Sequence, residues 1–230
     1  MKILFNDVIQ YADVSKDYEY LKSPSLAEVC VVKSPITINF DKPCPINSIG
    51  IGNAKQKELR IELKGTNGTL FNSDDHDFEF SENGLYLIDE ITVSQITITA
   101  KAGLTHIGRF AAGIAVNIPT TVAKEPAFHS TAKPRTTLSG QVIQGVGGHI
   151  YKTVSLDSRY KIDEKAMKEI EDGYFYTSMG YPFFIDLTDE AYKLPFSKLY
   201  AIDRNQQQMS FESGVNKFLY SRRFEFEERF

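Results

Sequence analysis

Between Cys30 and Ile118, apolar and polar residues alternate with a period of two, and turn-forming sequence cuts the runs every few residues. Alternation is clean in Ile36-Thr37-Ile38-Asn39-Phe40, in Leu59-Arg60-Ile61-Glu62-Leu63 and in Ile96-Thr97-Ile98-Thr99. A strand of this kind buries one set of side chains and wets the other, as antiparallel sheets do. The interruptions are turn chemistry: Asp41-Lys42-Pro43, Gly65-Thr66-Asn67-Gly68, Asn72-Ser73-Asp74-Asp75, Glu82-Asn83-Gly84 and Lys101-Ala102-Gly103. Closely spaced strands with no long helix predict an antiparallel β-sandwich or jelly roll over residues 30–118, with residues 1–29 as a lead-in arm.

The pattern changes after Pro119. A chain of 230 residues exceeds the usual domain size of roughly 100–150 residues, so a second unit is expected. Residues 119–137 read as a linker or an arm, and residues 138–230 as a small α+β domain with one short helix. The stretch Ile162-Asp163-Glu164-Lys165-Ala166-Met167 predicts that helix. Asp163 is its N-cap, Ala166, Met167 and Ile170 are its apolar positions, and Gly173 lies beyond its last turn. The mainly β class also takes in the last residues, where Phe218, Tyr220, Phe224 and Phe226 interleave with charge as a closing strand.

The chemistry-bearing residues do not assemble into a reactive pattern. Lys plus Arg number 26 against Asp plus Glu at 30, a net charge of −4, so no basic surface calls for nucleic acid. The first residues hold too short an apolar run for a secretory segment or a membrane span, and no membrane insertion is expected. Cys30 and Cys44 have no histidines at zinc spacing and read as buried free thiols. The glycine-rich run from Ser139 to Lys152 lacks the phosphate-loop spacing and leads into a strand rather than a helix; Gly145, Gly147 and Gly148 then serve a tight hairpin loop.

Asp74, Asp75, His76 and Asp77 form the run richest in ligand atoms. They lack the alternate spacing and glycine turn of a calcium loop, so a solvated loop tip and no metal are expected. His106, His129 and His149 accompany no nucleophile signature. The expectation is therefore a non-enzymatic protein without cofactors.

Two stretches carry a resemblance. Ser34 to Asn53, followed by Ser94 to Pro119 with its Ile107-Gly108-Arg109 step and Ala112-Gly113, is similar to the jelly-roll domain of tailed-phage tail proteins. Ser139-Gly140-Gln141, the helix from Asp163, Pro182-Phe183-Phe184-Ile185-Asp186 and Phe224-Glu225-Phe226-Glu227-Glu228 follow in the order such proteins use. The resemblance covers residues 30–230. It implies a structural virion subunit of the distal-tail or baseplate kind, assembled in the bacterial cytoplasm, which forms a ring-like homo-oligomer and contacts other tail proteins.

Arg135 and the loop at Gly145 and Gly147 are then the candidate inter-subunit arms, and the strand of Phe224 and Phe226 is the candidate edge for β-augmentation. The same jelly roll also resembles discoidin-type carbohydrate-binding modules. That gives an alternative, binding of a host-surface glycan, with Asn67, Asp74, Asp75 and Asp77 at the binding end.

Overall fold

A computed structural model describes residues 1–54, 58–76, 83–118, 124–131, 135–136, 139, 142–143, 150–162, 164–177, 181–188, 198–204, 209–213 and 218–229. The fold is mainly β, with two large antiparallel sheets and, among the described residues, one α-helix. The first sheet contains β2 (Asp13–Val14), β3 (Cys30–Val32), β4 (Ile36–Ala54), β5 (Leu59–Gly65), β6 (Gly68–Asn72), β7 (Asn83–Ala100) and β8 (Thr105–Gly113). Its order is β3-β8-β4-β7-β5-β6, with β2 also on β4.

Two strands in that sheet are far longer than the sequence pattern predicts. Ile36 and Ile49 lie on one strand, β4, which runs through the turn expected at Asp41-Lys42-Pro43, and Leu85 and Ile96 lie on one strand, β7. The turn expected at Asn83-Gly84 is the start of β7. The β4–β7 pairing shifts register between Asn39 and Cys44 and again between Ile46 and Ser48, so both strands bend while remaining paired. Each therefore serves two layers. Residues 36–39 of β4 pair with the end of β7, which also carries β5, and residues 48–54 pair with β8 and the start of β7. Ile36, Ile38, Ile61, Ile96 and Ile98 of one layer meet Ile49, Ile51, Phe110 and Ala112 of the other in one buried cluster. That is the predicted β-sandwich, formed by one sheet folded over its own core.

The second sheet runs β10 (Lys124–Ser130), β13 (Ile150–Ile162), β17 (Phe218–Glu228), β15 (Lys198–Asp203), β14 (Phe183–Asp186), β1 (Lys2–Leu4) and β9 (Val116–Asn117), with β16 (Met209–Ser213) also on β17. A separate pair joins β11 (Arg135–Thr136) to β12 (Val142–Ile143). The expected lead-in thus contributes β1 to the second sheet and β2 to the first. Period-two alternation makes this sheet double-sided. Ile3, Phe183, Ile185, Leu199 and Ala201 face one core with Phe224, Phe226 and the helix α1 (Glu164–Thr177). Leu4, Phe184 and Tyr200 point the other way and meet Leu26, Leu85 and Ala111 against the sandwich.

Glycines set two of these contacts. The Ser-Ile-Gly-Ile-Gly pattern of β4 sends Ile49 and Ile51 into the sandwich core and leaves Gly50 facing the second sheet. A Cβ on Gly50 would lie 2.3 Å from Cδ2 of Phe184, so the ring packs directly on bare backbone. Gly173 lies inside α1 rather than beyond its end. A Cβ there would sit 2.4 Å from Cγ of Phe5, and close packing rather than helix termination accounts for this glycine. The N-cap expected at Asp163 lies outside the described residues.

Candidate functional site

The expected glycan-binding loop is largely engaged with its own scaffold. Asn67 is exposed in the β5–β6 turn, and Asp74 and Asp75 lie in a short 3-10 turn whose N-cap, Asn72, accepts from Asp74 N–H at 3.1 Å. Asp74 is ion-paired with Lys101 and, at 3.5 Å, with Arg60. His76 stacks on Phe71 with centroids 4.9 Å apart, while Asp77 lies outside the described residues. Among the described residues no group of three or more His, Cys, Asp and Glu side chains is placed to hold a metal ion.

The interface expectations fare differently. Gly145 and Gly147 lie outside the described residues, and Arg135 is placed in β11 opposite Ile143. The closing strand is not an edge. It pairs with β13 on one side and with β15 and β16 on the other, and Phe224 and Phe226 are fully buried. Alternation turns both rings onto the core shared with α1, where Phe226 meets Phe183 edge-on at 6.0 Å. Cys30 is buried, and burial pushes its thiol up; Cys44, expected buried as well, is partly exposed. No helix among the described residues is long and apolar enough to cross a membrane.

A buried polar construction that no sequence motif marks lies where the two sheets meet. Asp7 follows β1 and caps a 3-10 turn, its Oδ1 accepting from the N–H of Ile9 at 3.0 Å and of Ala112 at 3.1 Å. Its Oδ2 pairs with Nη2 of Arg109 from β8, while Nη1 of Arg109 donates to the carbonyl of Leu21 at 3.1 Å. Both side chains are nearly buried, at 11% and 7% exposure. Beside them the Tyr200 hydroxyl donates to the Pro24 carbonyl at 3.0 Å, and its ring packs on Phe184 at 4.6 Å. Burial pushes the Tyr200 phenol far above its usual range; the Asp7 charge adds to the rise, and the charge and hydrogen bond of Arg109 oppose it. One sequence signal was available. Arg109 is the lone charge in the run from Ile107 to Ile118, and a buried guanidinium requires a carboxylate partner.

A second feature lies at the β10 end of the second sheet. In the β10–β13 register Phe128 opposes Lys152 and Ser130 opposes Ile150, so Phe128 and Ile150 are diagonal neighbours on one face. Val154 and Leu156, on the same face of β13, are buried in the core with α1. Ile150 and Phe128 continue that face outward, and they are 66% and 56% exposed. The opposite face is polar. His129 stacks on Tyr151 at 5.2 Å and shares a 2.9 Å hydrogen bond with Thr153, and Arg204 grips Glu227 through Nε and Nη2 at 2.8 and 2.7 Å.

The Arg204 hydrogen bonds hold the Glu227 carboxyl below its ordinary 4.5, with the charges of Arg204, Arg229 and His129 helping and partial burial opposing. A depressed carboxyl stabilises the fold above its unfolded pKa and loses that contribution as pH falls through the folded value. Because Arg204 is 54% exposed, the pair contributes at most about 1 kcal/mol. The stability deficit of Arg204→Ala in urea is therefore expected at about pH 7 and expected to shrink as the pH falls below 4.5. A deficit that grows on acidification contradicts this assignment.

No family model matches the chain, and no curated protein matches it. Among solved structures it is similar to CBM32-1 from a family 31 glycoside hydrolase of Clostridium perfringens, at 13% identity and a TM-score of 0.39, over 48% of this chain and 99% of that one.

Proposed function

We propose that the chain is a non-enzymatic assembly subunit, a tail-tip or baseplate component of a tailed phage, that associates with further copies of itself through the β10 end of its second sheet. The observation that carries this reading is the exposure of Phe128 (56%) and Ile150 (66%) on one face of the β10–β13 pair, the face whose Val154 and Leu156 are buried in the core. Exposed apolar side chains beside an open strand edge favour pairing with another chain, and natural proteins usually blunt such edges with short strands or charge. Among the described residues β10 is seven residues long, against three for β3, five for β6 and two for β9 at the other sheet ends. Pro126 lacks an N–H donor, so the apolar face rather than an unbroken backbone ladder supplies most of the contact. The sequence resemblance over residues 30–230 supports the virion setting, and a homo-oligomeric ring follows when such a contact is heterologous and closes on itself.

Light scattering across a concentration series tests the reading. The wild-type chain is expected to reach a defined multiple of the protomer mass, and Phe128→Lys/Ile150→Lys is expected to shift the association midpoint at least about tenfold, roughly 1.4 kcal/mol, with an unchanged circular dichroism spectrum. A wild-type chain that stays monomeric, or a double variant that assembles as well as wild type, removes the self-assembly reading.

A further inference from the structure

Four asparagines in the chain precede a residue small enough to leave its own main-chain nitrogen accessible: Asn67 and Asn83 before glycine, Asn47 and Asn72 before serine. Such a nitrogen can attack the neighbouring side-chain amide and change the chain covalently without an enzyme, which is why asparagine is a thermolabile residue. In sequence the four steps are nearly alike, and the fold separates them.

Three of the side chains are in use. Asn47 Oδ1 accepts from the Ala115 N–H at 2.7 Å, and Asn72 Oδ1 accepts from the Asp74 N–H at 3.1 Å. Asn83 Oδ1 accepts from the Asn53 N–H at 2.8 Å. Both residues of the Asn83-Gly84 step are also paired with β4, opposite Gly52 and Ile51. Gly84 is buried, and a Cβ on it would lie 2.6 Å from the Tyr86 hydroxyl. Bringing this step into a reactive geometry therefore requires part of the sheet to open.

Asn67 is held differently. Thr66 and Asn67 form the two-residue turn between β5 and β6, whose last paired residues are Gly65 and Gly68. Asn67 and Gly68 are exposed, and among the described residues no hydrogen bond holds the Asn67 side-chain amide. Gly68 has a φ of +130°, a conformation that side chains rarely adopt, and a Cβ on it would meet nothing within 4 Å. An unanchored carboxamide, an unshielded nitrogen and open space for ring closure thus meet at the end of a ladder, where local opening costs least.

We propose that Asn67 deamidates spontaneously through a cyclic imide with Gly68, while the fold protects Asn83. The Gly68 nitrogen gives up its proton to a solvent base and bonds to Cγ of Asn67. The side-chain nitrogen takes up a proton and leaves as ammonia, which completes a five-membered imide. Water then opens the ring. Breaking the bond from the Gly68 nitrogen to Cγ gives aspartate, and breaking its bond to the Asn67 main-chain carbonyl carbon gives isoaspartate. Either product adds a negative charge to the turn, and isoaspartate also lengthens the main chain by one carbon beside the Gly65–Gly68 pair. The site lies within one chain, so it does not depend on the assembly reading.

Peptide mapping by mass spectrometry tests the site on the full chain kept in mildly alkaline buffer, with electron-transfer fragmentation to tell isoaspartate from aspartate. Asn67 is expected to convert at least about tenfold faster than Asn83 in the native chain. In urea the two Asn-Gly steps are expected to convert at rates within about threefold of each other. Asn67→Gln, whose longer side chain would have to close a six-membered ring, is expected to remove the native-state product and leave Asn83 intact. The proposal is overturned by a native Asn67 that stays unmodified over the time in which the unfolded chain converts, or by native conversion of Asn83 as fast as that of Asn67.

Discussion

Asp7→Ala is expected to cost about 3–5 kcal/mol of folding stability, the usual consequence of leaving one member of a buried ion pair uncompensated. Arg109 would keep its charge at 7% exposure with the neutral Leu21 carbonyl and Tyr200 hydroxyl, and no carboxylate among the described residues, beside it. The same substitution frees the backbone N–H groups of Ile9 and Ala112, which Asp7 now accepts from. Replacing both partners is expected to be far milder than the sum of the two changes. In Asp7→Ala/Arg109→Met the charge leaves with its partner, and the remaining loss is that of the cap and the backbone acceptor, on the order of 1–2 kcal/mol. Urea unfolding of the two single variants and the double variant, at constant m-value, measures this directly. A loss below about 1 kcal/mol for Asp7→Ala means that water reaches the pair and that the junction is not locked by it.

Phe184→Ala is the second large change, expected at about 3–5 kcal/mol because a fully buried ring is removed from a packed contact. Its partner is a glycine, and that makes the contact testable from the other side. Gly50→Ala places a methyl group inside the van der Waals radius of the Phe184 ring and is expected to cost about 1–3 kcal/mol through overpacking. Combined, Gly50→Ala and Phe184→Ala are expected to lose less than the sum, since the new methyl enters the space that the ring vacates. Simple additivity in thermal or urea melts contradicts a direct ring-on-backbone contact between sandwich and second sheet. The Ile-Gly-Ile-Gly run of β4 thus does two things at once: its isoleucines fill one core while its glycines let another sheet approach.

Several of these features were legible in sequence, and the reason is local. Ile36, Ile38, Leu59, Ile61, Leu63, Ile96 and Ile98 are buried, as period-two alternation requires, because a strand has only two faces. Met167 and Ile170 are buried on α1 for the same kind of reason at a helical period, with Ala166 packed beside them. Nothing local reveals that the strands around Ile36 and Ile49 are one bent strand, since Asp41, Lys42 and Pro43 carry turn chemistry whether the chain turns or only bulges. Phe224 and Phe226 illustrate a similar limit. An aromatic strand with alternating charge reads alike at an edge and in the middle of a half-buried sheet, and the pairing with β13 and β15 decides which it is.

What the sequence by itself determined is the mainly β class, the short helix and the inward-facing residue set, because each follows from a side-chain period written over a few consecutive residues. Tertiary structure alone decided the rest. Asp7 and Arg109 are 102 residues apart, and Phe128 reaches Ile150 across a strand pairing. A charge is stable in the interior only beside its counter-ion. Such juxtapositions are properties of the closed fold, and no local pattern encodes them.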